Sequence, residues 1–324
     1  MKIRLKLLRL IAMLVLGLGM AGVAFAQAYP SKPIRLLVPF PPGGPADILG
    51  RVIAQKMSED FGQQVIIDNR PGANTIIAAE LAARAPADGY TVLMAIDSTL
   101  SMNPALYSKL PYDPLKDFDP VSLIAIVPSM LIAHPSVPVN NVQELIALAK
   151  SKPDQIMFGS GTIAMQLAGE LFNTMAGTKM QNVPYKGGST TITAVMAGEV
   201  PVAFEGISTA LSAWRAGKVK AIAAMGATRL PQAPDLPTVA EQGVPGYEAQ
   251  VWQSVVVPKG TPREIVLKLN AELTRIMKLP ETQERLSASG LVPTSSTPEE
   301  LGVFLRSETT KWGKIIKGIG LKIE

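Results

Sequence analysis

Short apolar runs alternate with amphipathic stretches along most of the chain. Runs at 34–38, 65–67, 91–96, 123–127, 130–133, 156–158, 200–204, 219–225 and 254–257 have the length and β-branched content of buried strands. Between them, apolar residues recur at helical spacing, as with Leu49, Val52, Ile53 and Met57, or Ile163, Leu167, Leu171 and Met175. This alternation predicts an α/β fold with mainly parallel sheets covered by helices on both faces. The strands near 130–133 and 254–257 read as crossings between two lobes. That predicts one lobe from 27–128 plus 253–324 and a second from 129–252. The proline-rich segments 110–120 and 230–237 cannot be helix interior and are expected to cross the surface as ordered loops. Thr261-Pro262-Arg263-Glu264 and Thr297-Pro298-Glu299-Glu300 both have the spacing of a capping box with proline at the first helical position.

Three strand-to-helix turns are rich in glycine. The first, Pro39-Phe40-Pro41-Pro42-Gly43-Gly44, ends one apolar run and opens a helix at Pro45, with Ala46 and Asp47 in its first turn. The second is Gly159-Ser160-Gly161-Thr162, whose helix stops at Gly177. The third is Tyr185-Lys186-Gly187-Gly188-Ser189, with Ser189 as the expected cap and Gly198 as the stop. A helix N-terminus leaves backbone N–H groups without intrahelical partners, so each turn offers donors and a favourable dipole to a carboxylate or phosphate. Each is equally readable as a tight connection without a ligand. If the strands point at a common crevice, the three turns converge where ligands of open sheets bind.

The first 26 residues look like a secretory leader. Lys2, Arg4, Lys6 and Arg9 precede an apolar stretch and the small-x-small site Ala24-Phe25-Ala26, which places cleavage after Ala26. The apolar stretch is shorter than the roughly 20 residues that span a bilayer, so no stable membrane insertion is expected after cleavage. The full chain carries a formal charge of +5; without the leader, 27 basic face 26 acidic residues. A nearly neutral surface gives no footprint for nucleic acid. There is no cysteine, hence no disulfide framework and no thiolate metal site.

Catalytic signatures are sparse. The single histidine, His134, stands between an apolar run and Pro135 and lacks the neighbours of a nucleophilic arrangement. No phosphate-binding loop or dinucleotide fingerprint is present, so no cofactor is expected. Asp47 is a candidate base, although a carboxylate at the third helical position more often caps backbone N–H groups. Phe40 and Tyr185 are either plugs or pocket walls. Glu205, at the end of the 200–204 run, belongs to the same sheet edge as the glycine turns. These observations favour a non-catalytic binding protein over an enzyme.

VPFPPGGPADILGR at 38–51, NRPGAN at 69–74, DGYTVLMA at 88–95, NPALYSKLPYDPLKDFDPVS at 103–122, VPYKGG at 183–188 and VVVPKGTP at 255–262 follow one another in family order. Together they resemble the substrate-binding proteins of tripartite tricarboxylate transporters, the Bug family, over essentially the whole mature chain. The resemblance implies a periplasmic, two-lobed Venus flytrap of type II-like architecture. It would capture a small organic acid, a mono- or dicarboxylate or a related aromatic or amino acid, and deliver it to membrane permease subunits. A monomer without metal or cofactor is expected. The ligand residues implied are Phe40, Pro42, Gly43, Gly44, Ala46 and Asp47 from the first turn and Ser160, Gly161 and Thr162 from the second, with Ser98 as a further candidate. The chain departs from the family at Met165-Gln166, where a histidine is usual, and at Glu205, where aspartate is commoner; Gln166, Tyr185 and Glu205 are therefore specificity candidates. A secreted carboxylate-acting enzyme using Asp47 or Glu205, or a sensor subunit for a two-component kinase, are the competing readings.

Overall fold

Two sheets organise the computed structural model, which describes residues 29–323; the expected leader at 1–26 lies outside the described residues. In chain order the elements are β1 (Ile34–Val38), α1 (Pro45–Phe61), β2 (Val65–Asn69), α2 (Ile76–Ala83), β3 (Thr91–Ile96), α3 (Asn103–Leu106) and β4 (Phe118–Val127). Next come β5 (Ser129–Ala133), α4 (Val142–Ser151), β6 (Met157–Ser160), α5 (Ile163–Ala176), β7 (Gln181–Pro184), α6 (Gly188–Ala197), β8 (Val202–Gly206), α7 (Ile207–Arg215) and β9 (Lys220–Ala224). The chain closes with β10 (Val251–Pro258), α8 (Arg263–Lys278), α9 (Pro280–Ala288), β11 (Val292–Pro293) and α10 (Pro298–Gly318). The first sheet has the order β11-β4-β10-β3-β1-β2 and the second β7-β6-β8-β5-β9.

The α/β architecture follows the hydrophobic pattern, but the sheets are mixed, not mainly parallel. β1 pairs in parallel with β2 and β3, and β6 with β7 and β8, as strand-helix-strand units require. β10 runs antiparallel to β3 and β4, and β5 antiparallel to β8 and β9. The reversed strands are those joined to the crossings. β4 leads through Pro128 into β5 of the other sheet, and β10 returns beside β4 with Val251 opposite Val127. A chain that passes from one sheet to the other and back must run against its neighbours there.

Alternation within each strand sends side chains to two cores. In β1, Leu36 and Val38 pack with Leu49 and Ile53 of α1 and Leu269 and Leu273 of α8, while Leu37 faces Ala78 and Ala79 of α2 and Leu301 and Leu305 of α10. The second sheet divides similarly: Leu131 and Phe204 pack under α4 and α5, and Met130 and Ala203 under α6 and α7. Helix α10 serves both sheets, because its later residues Trp312, Ile315 and Ile316 join the core of the second. At the join, the Glu308 carboxylate accepts from Trp312 Nε1 at 3.0 Å and from Trp252 Nε1 of β10 at 3.3 Å, and pairs with Lys311 at 2.5 Å.

Local expectations are partly corrected. Strand β4 begins at Phe118, inside the segment read as a loop, and tolerates Pro120 because the ladder with β10 shifts register between Val255 and Val256, opposite that proline. The Thr297 capping box forms with Glu300. The Thr261 box does not, since that hydroxyl donates to the Pro258 carbonyl at 2.7 Å and α8 starts after Pro262. Ser189 is not a cap either: α6 starts two residues earlier, capped by Gly187, whose φ of +95° suits glycine.

Candidate functional site

A cleft of about 740 Å³ opens at the ends of β1, β3 and β8, beside the crossing strands. Such a volume suits a small-molecule site. One wall carries Phe40, Pro42, Gly44 and Ala46 from the first glycine turn and α1, with Asn74, Thr75, Asp97 and Ser98 beside them. The facing wall carries Thr162, Ile163, Ala164 and Met165 at the start of α5, with Glu205 and Gly206 at the end of β8. Val127, Val251 and Gln253 of the crossing strands form the floor.

Two helix N-termini open into this space. Gly44 is the N-cap of α1 with φ −82° and ψ 171°, and no side chain caps that end. Pro45 has no N–H to leave unpaired. On α5, the Thr162 hydroxyl accepts from Met165 N at 3.3 Å, which leaves the N–H groups of Ile163 and Ala164 without intrahelical partners. Both ends therefore present backbone donors and the positive pole of a dipole toward an anion. Among the described residues lining the cleft none is lysine, arginine or histidine.

The acids are the unusual feature. Asp97 is 1 % exposed; its Oδ1 accepts from Ser98 N at 2.7 Å while Oδ2 has no partner. Burial pushes its pKa up from 3.8 to about 7, against the pull of the Ser98 hydrogen bond, with nearby Glu308 adding to the rise and Lys311 opposing it. Glu205 is 5 % exposed; Oε1 accepts from Gly206 N and Thr209 Oγ1, both at 2.9 Å, while Oε2 is unpartnered. Burial raises its pKa as well, against those two hydrogen bonds. Ser98 Oγ and Gln253 Oε1 are further buried polar atoms with no partner.

Of the residues expected from sequence, the cleft brings together Phe40, Pro42, Gly44, Ala46, Ser98, Thr162 and Glu205. The others do not line it, each for a definite reason. The Asp47 carboxylate is spent on Arg51 Nε at 2.7 Å, Gly43 N at 2.9 Å and Asn69 Nδ2 at 3.0 Å. Arg51 leads in holding its pKa below the usual value, although burial opposes this. Gly43 is thus the donor that fixes Asp47, and its φ of +92° makes the turn. Ser160 donates to Asn182 Oδ1 at 2.7 Å. Gly161 packs on the third glycine turn, where an added Cβ would lie 2.5 Å from the Gly187 carbonyl carbon. Gln166 is the fourth residue of α5, its N–H is used by the Thr162 carbonyl, and Met165 is the residue that takes the wall position. Tyr185 packs with the Met130 and Ile192 core.

The third glycine turn also lies off the cleft. A Cβ at Gly188 would come 2.5 Å from Glu205 Oε1, so that glycine makes room for the carboxyl rather than for a ligand. Asp97, Gln253, Asn74 and Thr75 were not expected from sequence. Asp97 carried the signal that pointed to Glu205, a carboxylate directly after an apolar strand.

These placements separate two kinds of glycine. A Cβ at Gly44 meets nothing within 4 Å. Gly44→Ala should change stability by no more than about 0.5 kcal/mol and weaken ligand binding at least about tenfold. Gly161→Ala should instead cost roughly 1–3 kcal/mol of stability through overpacking. Denaturant unfolding and titration calorimetry on both variants check this; the reverse pattern would contradict the assignment. The Asp97 shift makes a second prediction. A folded pKa above the unfolded one means the folded state holds a proton that the unfolded chain has released, so stability falls as pH rises through the window from 3.8 to about 7. In ligand-free protein, the melting-temperature gain of Asp97→Asn over wild type should grow between about pH 4.5 and about pH 7.5. A gain independent of pH would show that the carboxyl is not desolvated.

A family profile described as Tripartite tricarboxylate transporter family receptor matches residues 49–321. A curated relative, the UPF0065 protein in the tcbD-tcbE intergenic region of Pseudomonas sp. strain P51, is 37 % identical over 312 residues, covering 92 % of each chain. Among solved structures, R. palustris Rpa4515 with adipate is 35 % identical with a TM-score of 0.76, over 91 % of this chain and 100 % of that one. MatC (Rpa3494) from Rhodopseudomonas palustris with bound malate is 31 % identical with a TM-score of 0.72, over 89 % and 100 %. The two-lobed periplasmic-binding-protein fold and the matched sequence agree, and the chain belongs to the tripartite tricarboxylate transporter receptor family.

Proposed function

We propose that the protein is a periplasmic solute receptor that captures a small organic carboxylate between its lobes and delivers it to the permease subunits of a tripartite tricarboxylate-type transporter. The observation that carries this reading is the pair of helix N-termini, α1 at Gly44 and α5 at Thr162, opening from opposite walls onto one cleft. Several backbone hydrogen bonds to a charged group, at roughly 1.5–3 kcal/mol each, are enough for the ~8 kcal/mol of a micromolar complex. The adipate and malate in the two related structures are both small dicarboxylates, which supports the same ligand class here.

Phe40, Pro42, Gly44, Ala46, Ser98, Thr162 and Glu205 are the proposed ligand contacts, joined by Asp97, Met165 and Gln253. Sheet membership supports lobes at 27–128 plus 253–324 and 129–252, with α10 spanning both. Ligand contacts from both walls would favour a closed arrangement over an open one. The receptor acts as a monomer, binds stoichiometrically and leaves its ligand unchanged. Asp47, the first candidate base, is already held by three donors.

Titration calorimetry of the mature protein against organic acids and their matching amides tests the reading. Micromolar, one-to-one binding of a free acid, with the acid recovered intact after denaturation, is expected. Amides bound while all free acids stay silent, or an acid recovered chemically altered, would overturn it.

A further inference from the structure

Part of the cleft wall is built on backbone that L residues avoid. Ala73, Asn74 and Thr75 follow one another at φ +45°, +49° and +74°, directly after Gly72 at +124°. Among the described residues Asp154 is the only other non-glycine at positive φ, so the strain is concentrated in this one turn. Asparagine tolerates the left-handed region better than most residues, but alanine and the β-branched threonine do not. Asn74 and Thr75 line the cleft beside Asp97 and Ser98, and Thr75 is the N-cap of α2 without a side-chain cap bond. A strained run of this kind persists only where its surroundings over-determine it.

Those surroundings are a buried polar network centred on Asn103, the first residue of α3. Asn103 Nδ2 donates to the Asn74 carbonyl at 3.0 Å and to Tyr112 Oη at 3.2 Å, while Oδ1 accepts from Asn74 Nδ2 at 2.7 Å. Tyr112 donates in turn to the Thr99 carbonyl at 2.8 Å, and the Thr99 and Thr75 hydroxyls share a hydrogen bond at 2.7 Å. Asn103 and Thr99 are fully buried and Tyr112 is nearly so. Two bonds of opposite sense between Asn103 and Asn74 fix both the side chain and the peptide of the turn's middle residue. Burial makes each bond costly to lose, because an orphaned partner has no water to turn to. Asn103 itself does not line the cleft.

We propose that Asn103 is a positioning residue for the cleft, holding the 73–75 turn in its left-handed form from behind so that Asn74 and Thr75 present a fixed wall. Its effect on binding rests on the carboxylate reading; its effect on the turn does not. Without this clamp the three residues relax toward negative φ, and a wall that must be rebuilt on binding lowers affinity.

Asn103→Leu in the mature protein keeps the approximate size of the side chain, removes its three hydrogen bonds and so tests the clamp. In the ligand-free variant, hydrogen exchange of amides 73–79 should quicken at least about tenfold while the amides of α8 keep their wild-type rates. Calorimetry with the diacids from succinate to suberate, and the monoacids of the same lengths, should show the best-bound acid weakened at least about tenfold at unchanged stoichiometry. Ala73 is exposed, and glycine there would adopt positive φ without strain. Adding Ala73→Gly to Asn103→Leu should therefore recover at least about threefold of the lost affinity, an effect that a general loss of stability would not produce in folded molecules. Should Asn103→Leu fail to fold, two milder variants decide. Tyr112→Phe should quicken the same amides at least about threefold, and Ala73→Gly alone should raise the melting temperature, although glycine in place of alanine ordinarily lowers it. Unchanged exchange at 73–79 in the folded variants, or a lower melting temperature for Ala73→Gly, overturns the clamp. Quickened exchange with unchanged acid affinity overturns the positioning role. Silence of every acid on the wild type overturns the carboxylate reading instead, and exchange alone then decides the clamp.

Discussion

An anion in this cleft would have to be held by backbone N–H groups and neutral side chains, because the described lining residues offer it no cationic side chain. That constraint explains much of the local construction. Helix α1 starts at a glycine without a side-chain cap, so the N–H groups that a cap would consume stay available. Gly44 also leaves its Cβ space open. Asp47 meanwhile braces the turn from behind through Gly43, Asn69 and Arg51. A dipole and backbone donors stabilise a carboxylate with little charge selectivity of their own.

The same region is where the two sheets are tied. β4 and β5 are separated only by Pro128, and β10 returns alongside. Helix α10 adds a third tie, with Leu301 and Leu305 in one core and Trp312 and Ile316 in the other. Glu308 sits at its middle and accepts from both Trp252 and Trp312. Asp97 feels the charges of Glu308 and Lys311, so the ionisation of a cleft residue is linked electrostatically to the helix that joins the sheets.

Much of this was legible in the sequence, because periodicity and glycine placement report local geometry directly. The apolar runs marked the strands, and the Pro45 and Gly177 signals marked the ends of α1 and α5. The reversed strands were not legible, since a run of apolar residues does not record its direction. Glycine was ambiguous in a physical sense: Gly44, Gly161 and Gly188 look alike in sequence, yet one faces the cleft, one packs on backbone and one clears space for Glu205. Ser189 and Thr261 had capping chemistry, but a shift of one or two residues in a helix start decides whether a hydroxyl can reach an orphan N–H. Asp97 carried the same signal as Glu205, a carboxylate at the end of an apolar run, but that signal does not say whether the carboxylate is buried or exposed.

The central claim, that paired helix N-termini hold a carboxylate between closing lobes, is tested most directly by a crystal structure of the protein saturated with a bound acid. The account predicts the carboxylate within hydrogen-bond distance, roughly 3 Å or one bridging water, of N–H groups from both the Gly44 turn and the start of α5. A carboxylate held by one wall alone, or by side chains away from both helix ends, would contradict it.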